Sequence, residues 1–314
     1  MTELPDWYGP SDDPDRVMAI IDAWATSAAL RELVAAFGGH LPQVDGLDWL
    51  DEFSATHWDF RAGRERNLAA IPELTRDQES LVLDLAPELG FSGQQTPSRL
   101  DFDVVIMTGG MVRAGIVKPR HVAALLENGL TASEIVFLGG FRPFAGDELA
   151  VARALGIEGD NEFESMVSGM RRAFAPLDDP AVSGDEGAPG NASWCDYRWS
   201  VAGRTLSVLA APSSDPASRR ANSADTFRFW AERHGGKRPR VLVVTTPVYV
   251  PYQGALAVEL LGLEHGFEVQ TVATSASAGD LGEHSQAISA GNHLQELRSA
   301  IRSMRSLRTA LVRL

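Results

Sequence analysis

Asp101–Gly110 reads DFDVVIMTGG, and the fold turns on how this stretch is interpreted. Val104, Val105 and Ile106 form a continuous apolar run that closes on Thr108-Gly109-Gly110. A strand buried on both faces has no polar side with which to alternate, so such a run predicts a parallel strand in the middle of a sheet. Glycines at its carboxyl end let a backbone or a ligand phosphate approach closely. Glu134–Gly140 (EIVFLGG) and Arg240–Thr246 (RVLVVTT) repeat the pattern. Ligands of open α/β sheets bind outside the carboxyl ends of such strands. The expected fold is α/β: a Rossmann-like, mostly parallel sheet with helices on both faces and a pocket at the strand ends.

Outward from that stretch, Met111–Gly115 leads to PRHVAALLENG, a helix with Pro119 near its first turn and Gly129 at its stop. A helix from Asp147-Glu148 to Gly156 and another over Asn161–Phe174 follow the second strand. Asp178–Gly190 reads as an acidic loop. Trp194–Val201 and Thr205–Leu209 alternate around Ala202-Gly203-Arg204, which predicts a β-hairpin inserted near 191–210 as an antiparallel edge. Phe267–Ala273 reads as a further strand. Upstream, VMAIIDAWATSAALRELVAAFGG has helical spacing and a Gly38-Gly39 stop, and a second helix starts near Thr75. Three regions result: a helical N-terminal region over 1–98, the α/β core over 99–278, and a helical segment over 279–314.

With 314 residues, 44% hydrophobic and 22% charged, the chain can bury a large core. The formal net charge of −14 disfavours duplex DNA and anionic membrane surfaces as partners. Cys195 is the only cysteine, which excludes an intramolecular disulfide and a cysteine-based zinc cluster. No apolar run approaches the ~20 residues of a membrane span, and the acidic N-terminus is unlike a signal peptide, so a cytoplasmic protein is expected.

The motifs G-x-G-x-x-G, G-x-x-x-x-G-K-[ST] and G-x-S-x-G are absent, and the seven histidines show no paired-ligand spacing. A carboxylate-held divalent ion shared with a substrate phosphate stays open. Glu148 and Asp225 are the candidate acid–base groups; capping accounts for Asp147 without function. Arg113, Arg142, Arg219 and Arg220 are candidate anion clamps. Thr108 is a candidate ligand contact, and Gly109, Gly110, Gly139 and Gly140 allow close backbone approach. Asn222 and Ser223 open a helix beside the doubled arginine, and Thr246, Tyr249, Tyr252 and Gln253 form a proline-stiffened wall after the third strand. Thr56–Arg66 (THWDFRAGRER) reads either as a solvated loop with internal ion pairs or as an arginine flap over an anionic ligand. In the last segment Leu294, Leu297, Ile301, Met304 and Leu311 make an apolar seam that covers the core or a twin subunit in a homodimer. Arg298, Arg302, Arg305 and Arg308 lie between them.

Four segments in order resemble the bacterial SanA/YdcF-like family over about residues 101–273: Thr108-Gly109-Gly110, Gly139-Gly140 with Asp147-Glu148, Asn222-Ser223-Ala224-Asp225-Thr226, and Val244-Thr245-Thr246 with Tyr249. Ser223 and Thr226 replace the family's Thr and Asn, and its histidine after the third strand is missing. The resemblance implies a Rossmann-like pocket for a nucleotide or S-adenosylmethionine-like ligand. The expected function is a cytoplasmic enzyme that binds a nucleotide-like or phosphorylated anionic small molecule and transfers or hydrolyses a group. The alternatives are a non-catalytic ligand sensor or partner-binding module and, more weakly, an RNA-linked transferase.

Overall fold

The computed structural model describes residues 2–44, 46–61, 73–234, 236 and 238–314. The chain forms a mixed α/β structure around one eight-stranded, mostly parallel sheet. The strands are β1 (Trp7–Tyr8), β2 (Val104–Thr108), β3 (Glu134–Gly139), β4 (Ala181–Asp185), β5 (Trp194–Val201), β6 (Arg204–Ala210), β7 (Arg240–Thr245) and β8 (Glu268–Ala273). The helices are α1 (Pro14–Ala25), α2 (Ala28–Ala36), α3 (Gly46–His57), α4 (Arg76–Leu85), α5 (Val112–Glu127), α6 (Glu148–Ala154), α7 (Glu162–Ala173), α8 (Ser223–Ala231), α9 (Val250–Ala257), α10 (Ala276–Gly279) and α11 (Ala290–Leu311).

The strand order is β1-β8-β7-β2-β3-β6-β5-β4. The five strands from β8 to β6 pair in parallel, and β1, β5 and β4 add antiparallel edges. From β2 the chain moves outward through β3 to β6, then returns to the other side of β2 for β7 and β8. The connection therefore reverses direction between β2 and β7, where open sheets leave a crevice at their carboxyl ends.

Alternation along the strands divides the core in two. Val104, Ile106, Val136, Leu138, Val241 and Val243 face a layer built from α1, α2, α8, α9 and α11. Val105, Met107, Ile135, Phe137, Leu242 and Val244 face α5 and α7. The apolar seam of α11 is spent on this chain's own core, with Leu294, Ile301, Met304 and Leu307 fully buried. Its basic face meets an acidic surface that also belongs to this chain. Arg298 pairs with Asp51 and Asp59, Arg305 with Asp48 and Asp51, and Arg308 with Asp22. These pairs hold α1 and α3 against α11.

The structure departs from the sequence expectations at several elements. The second arm of the hairpin is no insertion: β6 pairs in parallel with β3 along six residues and is the third parallel strand. Val208, Leu209 and Ala210 at its end are accordingly buried. β4 lies within the expected acidic loop and is exposed throughout, so it carries no apolar pattern. β1 adds a two-residue strand to the N-terminal region. The long first helix is two, because Ser27 accepts from the Leu30 amide and caps α2 afresh. α5 begins at Val112, so Pro119 stands inside it rather than in its first turn.

Candidate functional site

The carboxyl ends of the five parallel strands lie along one edge of the sheet, and polar side chains concentrate there. Thr108 Oγ1 donates to Thr245 Oγ1 at 3.1 Å, and Thr245 Oγ1 donates to Oε1 of Gln253. Gln253 Nε2 donates to Ser223 Oγ at 3.2 Å. This chain bridges the ends of β2 and β7 to the first residue of α8. Beneath it, Lys118 Nζ lies 2.6 Å from Thr108 O, 2.9 Å from Thr108 Oγ1 and 3.1 Å from Gly109 O. All three ammonium donors are used, each on an uncharged oxygen. Burial pushes the amine down to about 7, against the opposing pull of the Glu162 charge.

Glu162 opens α7, which Asn161 caps. One carboxyl oxygen accepts from the Gly110 amide, and the other lies 3.8 Å from Arg142 Nε. Burial pushes this carboxyl up to about 6, although Arg142, the Gly110 N–H, Lys118 and Arg220 all favour its charged form. Gly109 faces Glu162 so closely that a Cβ there would overlap its carboxylate. A Cβ at Gly139 would press on the end of the Met166 side chain.

Arg142 grips Glu148 with two parallel hydrogen bonds, Nη1 to Oε2 at 2.6 Å and Nη2 to Oε1 at 2.8 Å. The Glu148 carboxylate also accepts from the amides of Val112 (2.9 Å) and Ala145 (3.0 Å). Burial alone would raise its pKa; the Arg142 bonds and the two amides outweigh it and hold the group below its ordinary value. Glu148 thus caps α5 and orients Arg142, and it stays an anion at neutral pH. Asp225 has the same kind of surroundings. Burial opposes its charge, but Arg219, Ser214 and the Asn222 amide bring it down to about 2. The first arginine of the doublet therefore has a structural task. Arg219 locks the capping box in which Asn222 and Asp225 satisfy each other's amides at the start of α8.

Two cavities flank the end of β2. The first, of 270 Å³, opens at the ends of β3 and β6. Gly140, Arg142 and Arg220 from the sequence set line it, together with Glu162, Glu186, Asn191 and Ser193. The second, of 380 Å³, opens at the ends of β7 and β8, with Arg113 and Thr246 on its wall. The structure thus divides the sequence set. Thr108, Ser223 and Gln253 belong to the buried chain, and Tyr252 joins it through Ser223. Tyr249 packs on the α11 side of the core. Among the described residues no cluster of three or more His, Cys, Asp or Glu stands ready for a metal ion.

In the Thr56–Arg66 stretch, Arg61 pairs with Glu296 of α11 and its amide donates to Gln295, so this arginine does not reach over the sheet. Residues 62–66 of that stretch lie outside the described residues. Two groups at the site, Lys118 and Glu162, escape the sequence reading. A signal for Lys118 was available, because it falls on the buried face of α5 with Gly115 and Val122. Glu162 looks like any acidic residue in a first turn.

The chain matches the family model described as the Rv3785 N-terminal domain over residues 8–90. It is 34% identical over 324 residues to the uncharacterized protein Rv3785 of Mycobacterium tuberculosis H37Rv, covering 93% of this chain and 89% of that protein. The same figures hold for the uncharacterized protein Mb3814 of Mycobacterium bovis. The chain belongs to the Rv3785 family. This overturns the SanA/YdcF resemblance. The family's N-terminal domain coincides with the helical region before β2, and the similarity runs through nearly the whole chain. The segments that carried the resemblance have local causes: Gly109 and Gly139 make room for Glu162 and Met166, and Asn222…Asp225 is a capping box. No solved structure matches the Rv3785-family chain.

The buried pair makes the stability of this family member depend on pH. Glu162 moves from 4.5 to about 6, so between those values the native chain binds more protons than the unfolded one and stability falls as pH rises. Lys118 moves from 10.5 to about 7, so there the unfolded chain binds more protons and stability rises with pH. Urea midpoints of the wild type should therefore be lowest between about pH 6 and 7 and recover in alkali by at least about 1.4 kcal/mol, the worth of one pKa unit. Lys118→Met should abolish the alkaline recovery. Parallel wild-type and variant curves from pH 7 to 10 would refute the assignment.

Proposed function

We propose that the cavity at the ends of β3 and β6 binds a small anionic molecule carrying a phosphate, and that the protein is a cytoplasmic hydrolase or group transferase with Glu162 as its acid–base group. One observation carries this reading: the Glu162 carboxyl, pushed up to about 6, forms part of the same wall as the guanidinium groups of Arg142 and Arg220. A carboxyl titrating near neutrality can give or take a proton at a working pH, whereas Glu148 and Asp225 are fixed as anions. Strongly shifted groups in a cleft with convergent cations mark a candidate site. The parallel strands also follow the order of doubly wound nucleotide-binding sheets, which supports a Rossmann-like assignment and a ligand at this edge.

The test is a thermal-shift series with inorganic phosphate, nucleoside monophosphates and sugar phosphates. A ligand at a hundred times its dissociation constant stabilises by about 2.7 kcal/mol. The shift should persist in Glu162→Gln, which keeps the acceptor for Gly110, and fall in Arg220→Ala. Turnover of the bound compound should vanish in Glu162→Gln. A shift untouched by Arg220→Ala would move the site elsewhere. A non-catalytic sensor gains one specific argument from the ion-paired state of Glu148 and Asp225. It predicts the same binding with no turnover in any variant.

A further inference from the structure

The second cavity differs from the first in both wall and charge. Its wall is more apolar than polar: Phe91, Val117, Pro247, Val248, Leu281 and Ile288 alternate with hydroxyl and amide side chains such as Thr274 and Gln286. No carboxylate lines it, and its one arginine is Arg113. Nε of Arg113 donates to His284 O at 2.6 Å, and Nη2 lies 3.3 Å from Asp147. Nη1 makes no hydrogen bond among the described residues. The outer wall, residues 275–284, is stapled to α5. Arg113 holds His284, Arg120 donates to the carbonyls of Ala278 and Asp280, and His121 Nδ1 accepts from the Ser275 amide. Three side chains of one helix thus keep the cavity open against a short, otherwise exposed segment. His293 stands on the opposite wall, edge-on to Phe91. Burial lowers its pKa, so it adds an uncharged ring to the wall at neutral pH.

We propose that this cavity is a binding site for an amphipathic organic monoanion, an apolar or aromatic body bearing one carboxylate or sulfonate that Arg113 receives. Ligand sites are apolar hollows with a few placed polar groups, and this one is lined by a single cation, whose partner Asp147 lies outside the lining. A neutral apolar molecule would leave the Arg113 guanidinium facing a dry wall. A cation would meet repulsion and no counter-charge. A dianion of the kind proposed for the first cavity would find only one arginine. The two sites share no lining residue, so each is tested without the other.

The test uses two dyes with the same aromatic body, 1-anilinonaphthalene-8-sulfonate and the uncharged N-phenyl-1-naphthylamine, titrated into the full-length protein by fluorescence. The expected result is one saturable site that prefers the sulfonate about tenfold, the worth of one charge-assisted hydrogen bond. Arg113→Met should erase that preference while leaving the neutral dye bound, which also shows that the variant is folded. Gly279→Phe should weaken both dyes, because Gly279 lines the cavity and a Cβ there meets nothing within 4 Å, so the larger side chain is added without disturbing the core. Non-saturable binding, binding indifferent to Gly279→Phe, or an unchanged sulfonate preference in Arg113→Met would overturn the proposal.

Discussion

Gly169→Ala should cost the protein about 3 kcal/mol of stability, although alanine is the better helix former by about 1 kcal/mol. The reason lies where α5 crosses α7. Pro119 has no N–H to give to the carbonyl four residues before it, which belongs to Gly115. That carbonyl turns out of α5 towards α7, and Gly169 receives it: a Cβ at Gly169 would lie inside the Gly115 oxygen. In glycine the same position is a Cα hydrogen, and a Cα–H···O contact replaces part of what the proline removed. The reciprocal contact is as tight, since a Cβ at Gly115 would overlap Ser165. Two backbones meet here, so no rotamer change relieves the clash and the helices must separate. Separation would pull Glu162 away from the Gly110 amide and loosen Met166 and Met170 under β3. Urea denaturation measures the loss. Gly279→Ala is the control: it faces open space and should stay within about 0.5 kcal/mol of wild type. A near-neutral Gly169→Ala would show that the helices do not touch there.

That crossing also shows what the sequence could and could not disclose. The strands β2, β3 and β7 were legible because a strand buried on both faces reads as a nearly continuous apolar run, as Val104, Val105 and Ile106 do. The glycines after them were legible as places of close approach, but the identity of the approaching group was not. Gly109 and Gly139 serve Glu162 and Met166, residues far away along the chain. β6 was misread as an edge because its alternation with β5 is a local signal, while its parallel pairing with β3 is not. Charges behaved likewise. Arg142 and Arg219 look like ligand contacts in a sequence, yet each pairs with a carboxylate in the first turn of the helix that follows it. The buried amine of Lys118 was the reverse case: a charged residue on an apolar helix face, visible in principle, whose partners are backbone oxygens and a hydroxyl that carry no sequence signature.

Arg142→Ala should destabilise the protein by about 3–5 kcal/mol at pH 7.5, the range for a buried charge left without its counter-ion. Two carboxylates depend on this guanidinium. Glu148, 2% exposed, takes two hydrogen bonds from it, and Glu162 lies 3.8 Å from its Nε. An exposed pair of the same type would contribute about 0–1 kcal/mol and fade with salt. At this depth the loss should be insensitive to salt and sensitive to pH. In the wild type the depressed Glu148 pKa supplies stability above its ordinary value that is lost on acidification. Without the arginine, burial raises that pKa instead, and the variant is relieved on acidification. The gap between wild type and Arg142→Ala should therefore narrow from pH 7.5 to pH 5. Arg142→Met combined with Glu148→Gln removes both charges at once and should recover part of the loss, because the substituted amide keeps an acceptor for the Val112 N–H. A constant gap from pH 7.5 to 5, or a double variant no better than the single one, would mean that Arg142 stabilises by packing alone. The consequence for the site is direct. Arg142 stands between the cap of α5 and the first cavity, so its loss affects fold and ligand together, and Arg220 is the residue on which the anion pocket is to be judged.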